Sequence, residues 1–182
     1  PNKKYAVIDH MYPGPQGYYG LQDFMGSIST PLSLGTSMQQ LSELGFVVVV
    51  LDGRGTGRRD HAFRYAFSGK KDFFGAADHK AAIKNLAKQH AFIDLNRVGV
   101  MGESFGSTGA VRAHLLYPDF FNVIVASVGG HGNRGKGGSM PNYSERYFDL
   151  ANKPDKDGNY FRFTANTQLI DRFKGKLFLI YG

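Results

Sequence analysis

Two hydrophobic periods take turns along this chain. Five short apolar runs are long enough for buried strands and too short for helices: Lys4 to Tyr12, Phe46 to Leu51, Arg97 to Met101, Phe121 to Val128 and Lys176 to Tyr181. Between them, apolar residues recur at helical spacing. Met38, Leu41 and Leu44 form one such set, ended by Gly45 as a C-terminal cap. Ala82, Ile83, Leu86 and Ala87 form a second, with Asp78 as its expected cap. Ala110, Val111, His114 and Leu115 form a third, which Pro118 stops. The run FVVVVL is β-branched and wholly apolar, so the pattern predicts a strand covered on both faces. Gly129 to Asn142 reads as a glycine-rich basic loop, and Tyr143 to Asp171 as a mixed, partly helical segment.

Strands alternating with helices predict an α/β fold with a doubly wound, mostly parallel sheet. Ligands of such sheets sit at the carboxyl ends of the strands, where Tyr12, Arg54 and Ser104 would lie. The 182 residues suffice for one domain with a core, and neither an internal repeat nor a linker divides them. A strand begins almost at once after Pro1, and Gly182 closely follows another, so the pattern predicts a sheet truncated at both ends.

Composition changes this picture little. Hydrophobic residues make up 42% and charged residues 20%, as in ordinary globular domains. The chain has no cysteine, which excludes disulfides and thiolate metal sites. No signal peptide is evident, and no apolar run approaches a membrane span. The net charge of +7 raises the question of nucleic acid. However, Lys and Arg are scattered, without a basic stripe interleaved with stacking aromatics, so no nucleic-acid partner is expected.

The chemistry concentrates at Gly102-Glu103-Ser104-Phe105-Gly106, between an apolar run and a helical pattern. Gly-x-Ser-x-Gly in that context is the sequence of a nucleophile elbow. A strand that reverses sharply into a helix crowds its backbone, and glycines let the turn close with the serine at its tip. The turn also aims the N-terminus of the helix at the serine hydroxyl.

Other candidates are weaker. Asp52-Gly53-Arg54-Gly55-Thr56-Gly57 follows a strand, but it lacks the spacing of a dinucleotide loop and the Lys-Ser/Thr of a P-loop. Its glycines are expected to make tight turns, with Arg54 pairing a carboxylate such as Asp78 beneath the site. In an elbow fold the triad runs Ser, then Asp or Glu, then His. His10, His61, His79, His90 and His114 precede or flank the serine in the wrong order. His131 is followed, not preceded, by the acids that could orient it, so it is a poor base. No cofactor and no metal are implied.

Several stretches together resemble the catalytic α/β-hydrolase domain of the prolyl oligopeptidase family, nearest its dipeptidyl peptidase IV branch. Tyr12-Pro13-Gly14-Pro15 is similar to that branch's Tyr-x-Gly-Pro, and Asp52 to Gly57 to its Asp-x-Arg-Gly-x-Gly. Gly75 and Asp78 fit a Gly and an Asp before the next helix. Ile93 to Gly106 follows Ile-Asp-x-x-Arg-Ile-x-Ile-x-Gly-x-Ser-x-Gly, and Tyr143 to Tyr147 follows Tyr-x-Glu-Arg-Tyr.

The resemblance implies a serine peptidase acting on peptide substrates through an acyl-enzyme. Ser104 would be the nucleophile, with the Phe105 N–H and the Tyr12 hydroxyl as oxyanion donors. Tyr143 would line the substrate pocket. The chain would run from the equivalent of the family's third strand to that of its seventh. The catalytic Asp and His would then fall beyond Gly182, in a longer polypeptide that also carries a propeller. The fragment alone would be inactive. Glu103 stands before the serine, as in carboxylesterases, where the family usually has an aromatic or small residue. An ester hydrolase is therefore one alternative, and a catalytically silent binding module is another.

Overall fold

The computed structural model describes residues 3–15, 18–19, 34–66, 74–131 and 165–181, with the side chains of 34–37 excepted. Tyr143, the rest of its motif, and most of the glycine-rich loop lie outside the described residues.

Each apolar run becomes a strand: β1 (Tyr5–His10), β2 (Val47–Val50), β3 (Ile93–Glu103), β4 (Val123–Ser127) and β5 (Lys176–Ile180). The helices are α1 (Leu34–Glu43), the short α2 (His61–Arg64), α3 (Ala76–Gln89) and α4 (Phe105–Leu116), with a 3-10 helix at Asn166–Arg172. The strands pair in the order β2-β1-β3-β4-β5, every neighbour parallel.

That order contains one reversal. The chain moves from β1 to β2 in one direction, then crosses back over β1 to β3 and continues outward. Right-handed crossovers make such a reversal switch faces, which puts α1 opposite α3 and α4, and α3 and α4 indeed touch each other. The crevice of an open α/β sheet forms at this switch point, between the carboxyl ends of β1 and β3. Tyr12 follows the first of these strands and Ser104 the second.

The core lies between the sheet and α3 and α4. Val7, Val98, Val100, Ile124 and Ala126 meet Ile83, Ala110, Ala113, Leu115 and Phe121, all buried. Helix α4 is enclosed from Gly106 to Leu115, the most buried element among the described residues. His114 belongs to this core. Its Nε2 accepts from the Lys174 N–H at 3.2 Å, so its Nδ1 donates to the Phe121 carbonyl at 2.6 Å. Burial depresses its pKa, in keeping with a neutral ring.

Three details differ from the sequence pattern. Strand β2 is the end strand of the described sheet, and only Val49 within it is fully buried, so FVVVVL is not covered on both faces. Asp78 is not the cap of α3; Gly75 is, and Asp78 in the first turn turns to Arg54 instead. Strand β3 begins at Ile93, four residues before the apolar run, because its register against β1 shifts between Ala6 and Val7. Ala6 faces Asp94 and Val7 faces Val98, so polar residues Asn96 and Arg97 are carried within one long strand.

Candidate active site

The turn from β3 to α4 is built by close approach. A Cβ on Gly102 would stand 2.3 Å from the backbone of Gly106 and 2.7 Å from the Met11 carbonyl oxygen. A Cβ on Gly106 would stand 2.3 Å from that same oxygen. Both glycines are needed because the end of β1, the end of β3 and the first turn of α4 converge here. The Met11 N–H donates to the Met101 carbonyl at 2.8 Å and locks the first two together.

Ser104 sits at the tip with φ 54° and ψ −117°, a strained conformation for a residue with a side chain. Its N–H donates to the Ser127 carbonyl of β4 at 2.8 Å, which holds the strain in place. Ser104 is exposed although Gly102 on one side and Gly106 on the other are buried. Phe105 supplies the first amide of α4 and packs its ring against Phe74 at 5.2 Å. Among the described residues, none hydrogen-bonds the Ser104 hydroxyl. The Tyr12 ring lies against the same turn, with Cδ2 3.2 Å from a Cβ placed on Gly106.

His131 lies against the first turn of α4, and its ring is already engaged. Asn166 Nδ2 donates to its Nδ1 at 3.1 Å, which leaves Nε2 as the protonated nitrogen, 3.4 Å from Ser107 Oγ. Burial lowers its pKa. With its lone pair given to Asn166, the neutral ring has no free acceptor nitrogen in this arrangement. Asn166 also accepts from Arg112 Nε at 2.8 Å and donates to the Thr108 carbonyl at 2.9 Å. This buried asparagine pins α4 to the segment before β5, and nothing in its local sequence announces it.

A second polar cluster joins the segment after β2 to α3 and β1. Arg54 grips Asp78 through Nε and NH2, with a shortest contact of 2.7 Å, and its backbone N–H adds a bond at 2.8 Å. This is the pairing the sequence led us to expect. Burial works to raise the Asp78 pKa, but these bonds outweigh it and the net shift is downward. Next to it, the His79 Nδ1 lies 2.9 Å from both carboxylate oxygens of Asp9, with the pair almost wholly buried. Burial alone would lower the His79 pKa, yet the Asp9 charge and hydrogen bond raise it overall, aided by Asp78 and Asp52. His10, buried beside this pair, is shifted down chiefly by desolvation. Among the described residues, no group of His, Asp or Glu is arranged to hold a metal ion.

A strained, exposed serine between a parallel strand and a buried helix, at the switch point of the sheet, is the architecture of the α/β hydrolases. Within that class the chain belongs to the prolyl oligopeptidase family, whose sequence profile matches residues 32–182. It is 36% identical over 126 residues to dipeptidyl peptidase 8 of Mus musculus, a match covering 69% of this chain and 14% of that protein. It also superposes on the crystal structure of a protein described as a dipeptidyl aminopeptidase IV from Bacteroides ovatus. There the TM-score is 0.77 at 27% identity, covering 97% of this chain and 23% of the other. The fold of Porphyromonas gingivalis dipeptidyl peptidase 4 matches with a TM-score of 0.72 at 22% identity, covering 98% of this chain and 23% of that one. The chain thus spans about one seventh of the curated relative's length. No helix among the described residues is long and apolar enough to cross a membrane.

Proposed function

We propose that this chain is the nucleophile-bearing part of a serine peptidase that cleaves peptide bonds through an acyl-enzyme at Ser104. The observation that carries the reading is the positive-φ serine, exposed at the tip of a turn whose neighbours are buried. Ser104 Oγ attacks the substrate carbonyl carbon and forms a tetrahedral adduct. The oxyanion is received by the Phe105 N–H and the Tyr12 hydroxyl, two donors fixed before the reaction begins. Collapse expels the amine and leaves the acyl group on Ser104, and water then releases it.

Proton transfer needs a base, because a serine hydroxyl is a weak nucleophile on its own. The triad order puts the acid and the histidine after the elbow helix, and His131 is spoken for. We therefore place both in polypeptide beyond residue 182, in an enzyme that also carries an accessory propeller. Tyr143 is proposed to line the substrate pocket. The relatives' names point to dipeptides released from amino termini.

The test compares this chain with a longer polypeptide containing it, using a dipeptidyl anilide and an activated ester. The longer protein is expected to hydrolyse the anilide, and Ser104→Ala to lower kcat about a millionfold, the scale of losing a triad serine. Full turnover by residues 1–182 alone would overturn the placement of the base. Turnover of the ester with none of the anilide would reassign the site to ester hydrolysis, and no turnover of either would leave a binding module.

A further inference from the structure

Tyr12 reaches the elbow from a loop that has no regular structure of its own, so its rigidity must come from outside. The loop is tied down by the segment that follows β2. The Tyr19 N–H donates to Asp52 Oδ1 at 2.7 Å, and Arg64 NH2 donates to the Pro15 carbonyl at 3.0 Å. The Arg58 guanidinium covers the Tyr18 ring at 3.8 Å and hydrogen-bonds its hydroxyl. Arg54 in turn fastens this segment to α3 through Asp78. At the end of that chain of contacts, the Tyr19 ring packs on the Tyr12 ring, with centroids 4.4 Å apart and planes inclined by 36°.

We propose that Tyr19 is a positioning residue for the oxyanion donor. Its ring fixes the plane of Tyr12 and thereby the direction in which the Tyr12 phenol is aimed. The inference rests on the reading of Tyr12 as an oxyanion donor. Burial first, then the proximity of Tyr12 and Asp52, push the Tyr19 pKa up to about 12, so Tyr19 stays neutral beside Tyr12. Asp52 matters because it fixes the backbone that carries Tyr19.

The experiment is a double-mutant cycle in the longer polypeptide, with kcat and KM measured on the dipeptidyl anilide. Tyr12→Phe is expected to lower kcat about a hundredfold, the scale of one oxyanion donor. Tyr19→Leu removes the ring that packs on Tyr12, and is expected to lower kcat about three- to tenfold with KM nearly constant, whereas Tyr19→Phe keeps the ring and should stay within about twofold of wild type. Placed on Tyr12→Phe, the Tyr19→Leu change should lower kcat no further, because its effect acts through the Tyr12 hydroxyl. A costly Tyr12→Phe beside a neutral Tyr19→Leu overturns the role of Tyr19 alone. Equal losses from Tyr19→Leu in both backgrounds also overturn it, since the effect then runs through folding. An unchanged kcat in Tyr12→Phe overturns the oxyanion reading and this inference with it.

Discussion

Replacing Gly106 with alanine tests whether the convergence of three backbone segments sets the catalytic geometry. The new Cβ would fall 2.3 Å from the Met11 carbonyl oxygen. A relaxed carbon–oxygen contact needs about 3.3 Å, so about 1 Å must be found. Neither partner is a side-chain tip that could rotate away. The Met11 peptide is held by its bond to Met101, and Gly106 lies in the first turn of an enclosed helix. The displacement therefore passes into the spacing between β1 and α4, which is the spacing between Tyr12 and Ser104. Overpacking of this kind costs about 1–3 kcal/mol of stability. A shift of about 1 Å between reacting groups is expected to cost about a hundredfold in rate. The assay is kcat/KM of Gly106→Ala in the longer polypeptide, with urea unfolding of the same protein and Gly45→Ala as reference. At Gly45 the open space around the Cβ leaves only backbone strain at φ +92°. Gly106→Ala should lose rate far beyond its loss of stability, and Gly45→Ala should lose stability alone. A Gly106→Ala enzyme within twofold of wild-type activity would refute the argument that the packing sets the site.

Other expectations follow from the polar cluster. Asp78→Asn should destabilise the protein by about 1–2 kcal/mol, because it weakens bonds that the Arg54 side chain and backbone make to a charged acceptor. Since the folded pKa of Asp78 is lowered, its contribution is present above the unfolded value and disappears as pH falls through the folded one, which urea titrations at successive pH values would reveal. His79 has the opposite sign. Its raised pKa adds stability that is complete below about 6.5 and lost as pH rises through the folded value, and His79→Asn should flatten that part of the profile. His131→Ala should leave kcat within about tenfold of wild type while lowering the melting temperature, since the ring packs on Ser107 and Asn166 rather than serving as base.

The parts of this fold that were legible in the sequence are those whose causes are local. The elbow could be read because the steric demand falls on Gly102 and Gly106 themselves, within the five residues that carry the motif. Strands β1 and β3 and helix α4 could be read because burial imposes a composition on consecutive residues, whereas β5 is exposed along its length despite its apolar run. The pairing of Arg54 with Asp78 is readable from the loop and helix start that carry them, but Asp78 also fits the capping rule, because an aspartate before an apolar helix serves as a cap equally well. Its recruitment by Arg54 left the cap to Gly75. The Asp9–His79 pair joins residues 70 positions apart, and Asn166 reaches His131 across 35. No local pattern encodes such meetings, which exist only after the strands have been ordered. The position of β2 at the sheet edge was hidden for the same reason, since FVVVVL specifies burial but not which neighbours supply it.

The register of β1 against β3 also dictates when the site comes into being during folding. The elbow is a local turn, available as soon as β3 and α4 meet. Tyr12 arrives only when Ile8 pairs with Gly99, after most of the intervening chain has been gathered in. Contacts of such long sequence separation close slowly, because the entropy of the loop is lost before the pairing rewards it. A folding chain would thus carry its serine in place before Tyr12, the proposed oxyanion donor, had reached the elbow. On the proposed reading, the two-sided oxyanion site is then a late property, acquired only with the completed sheet.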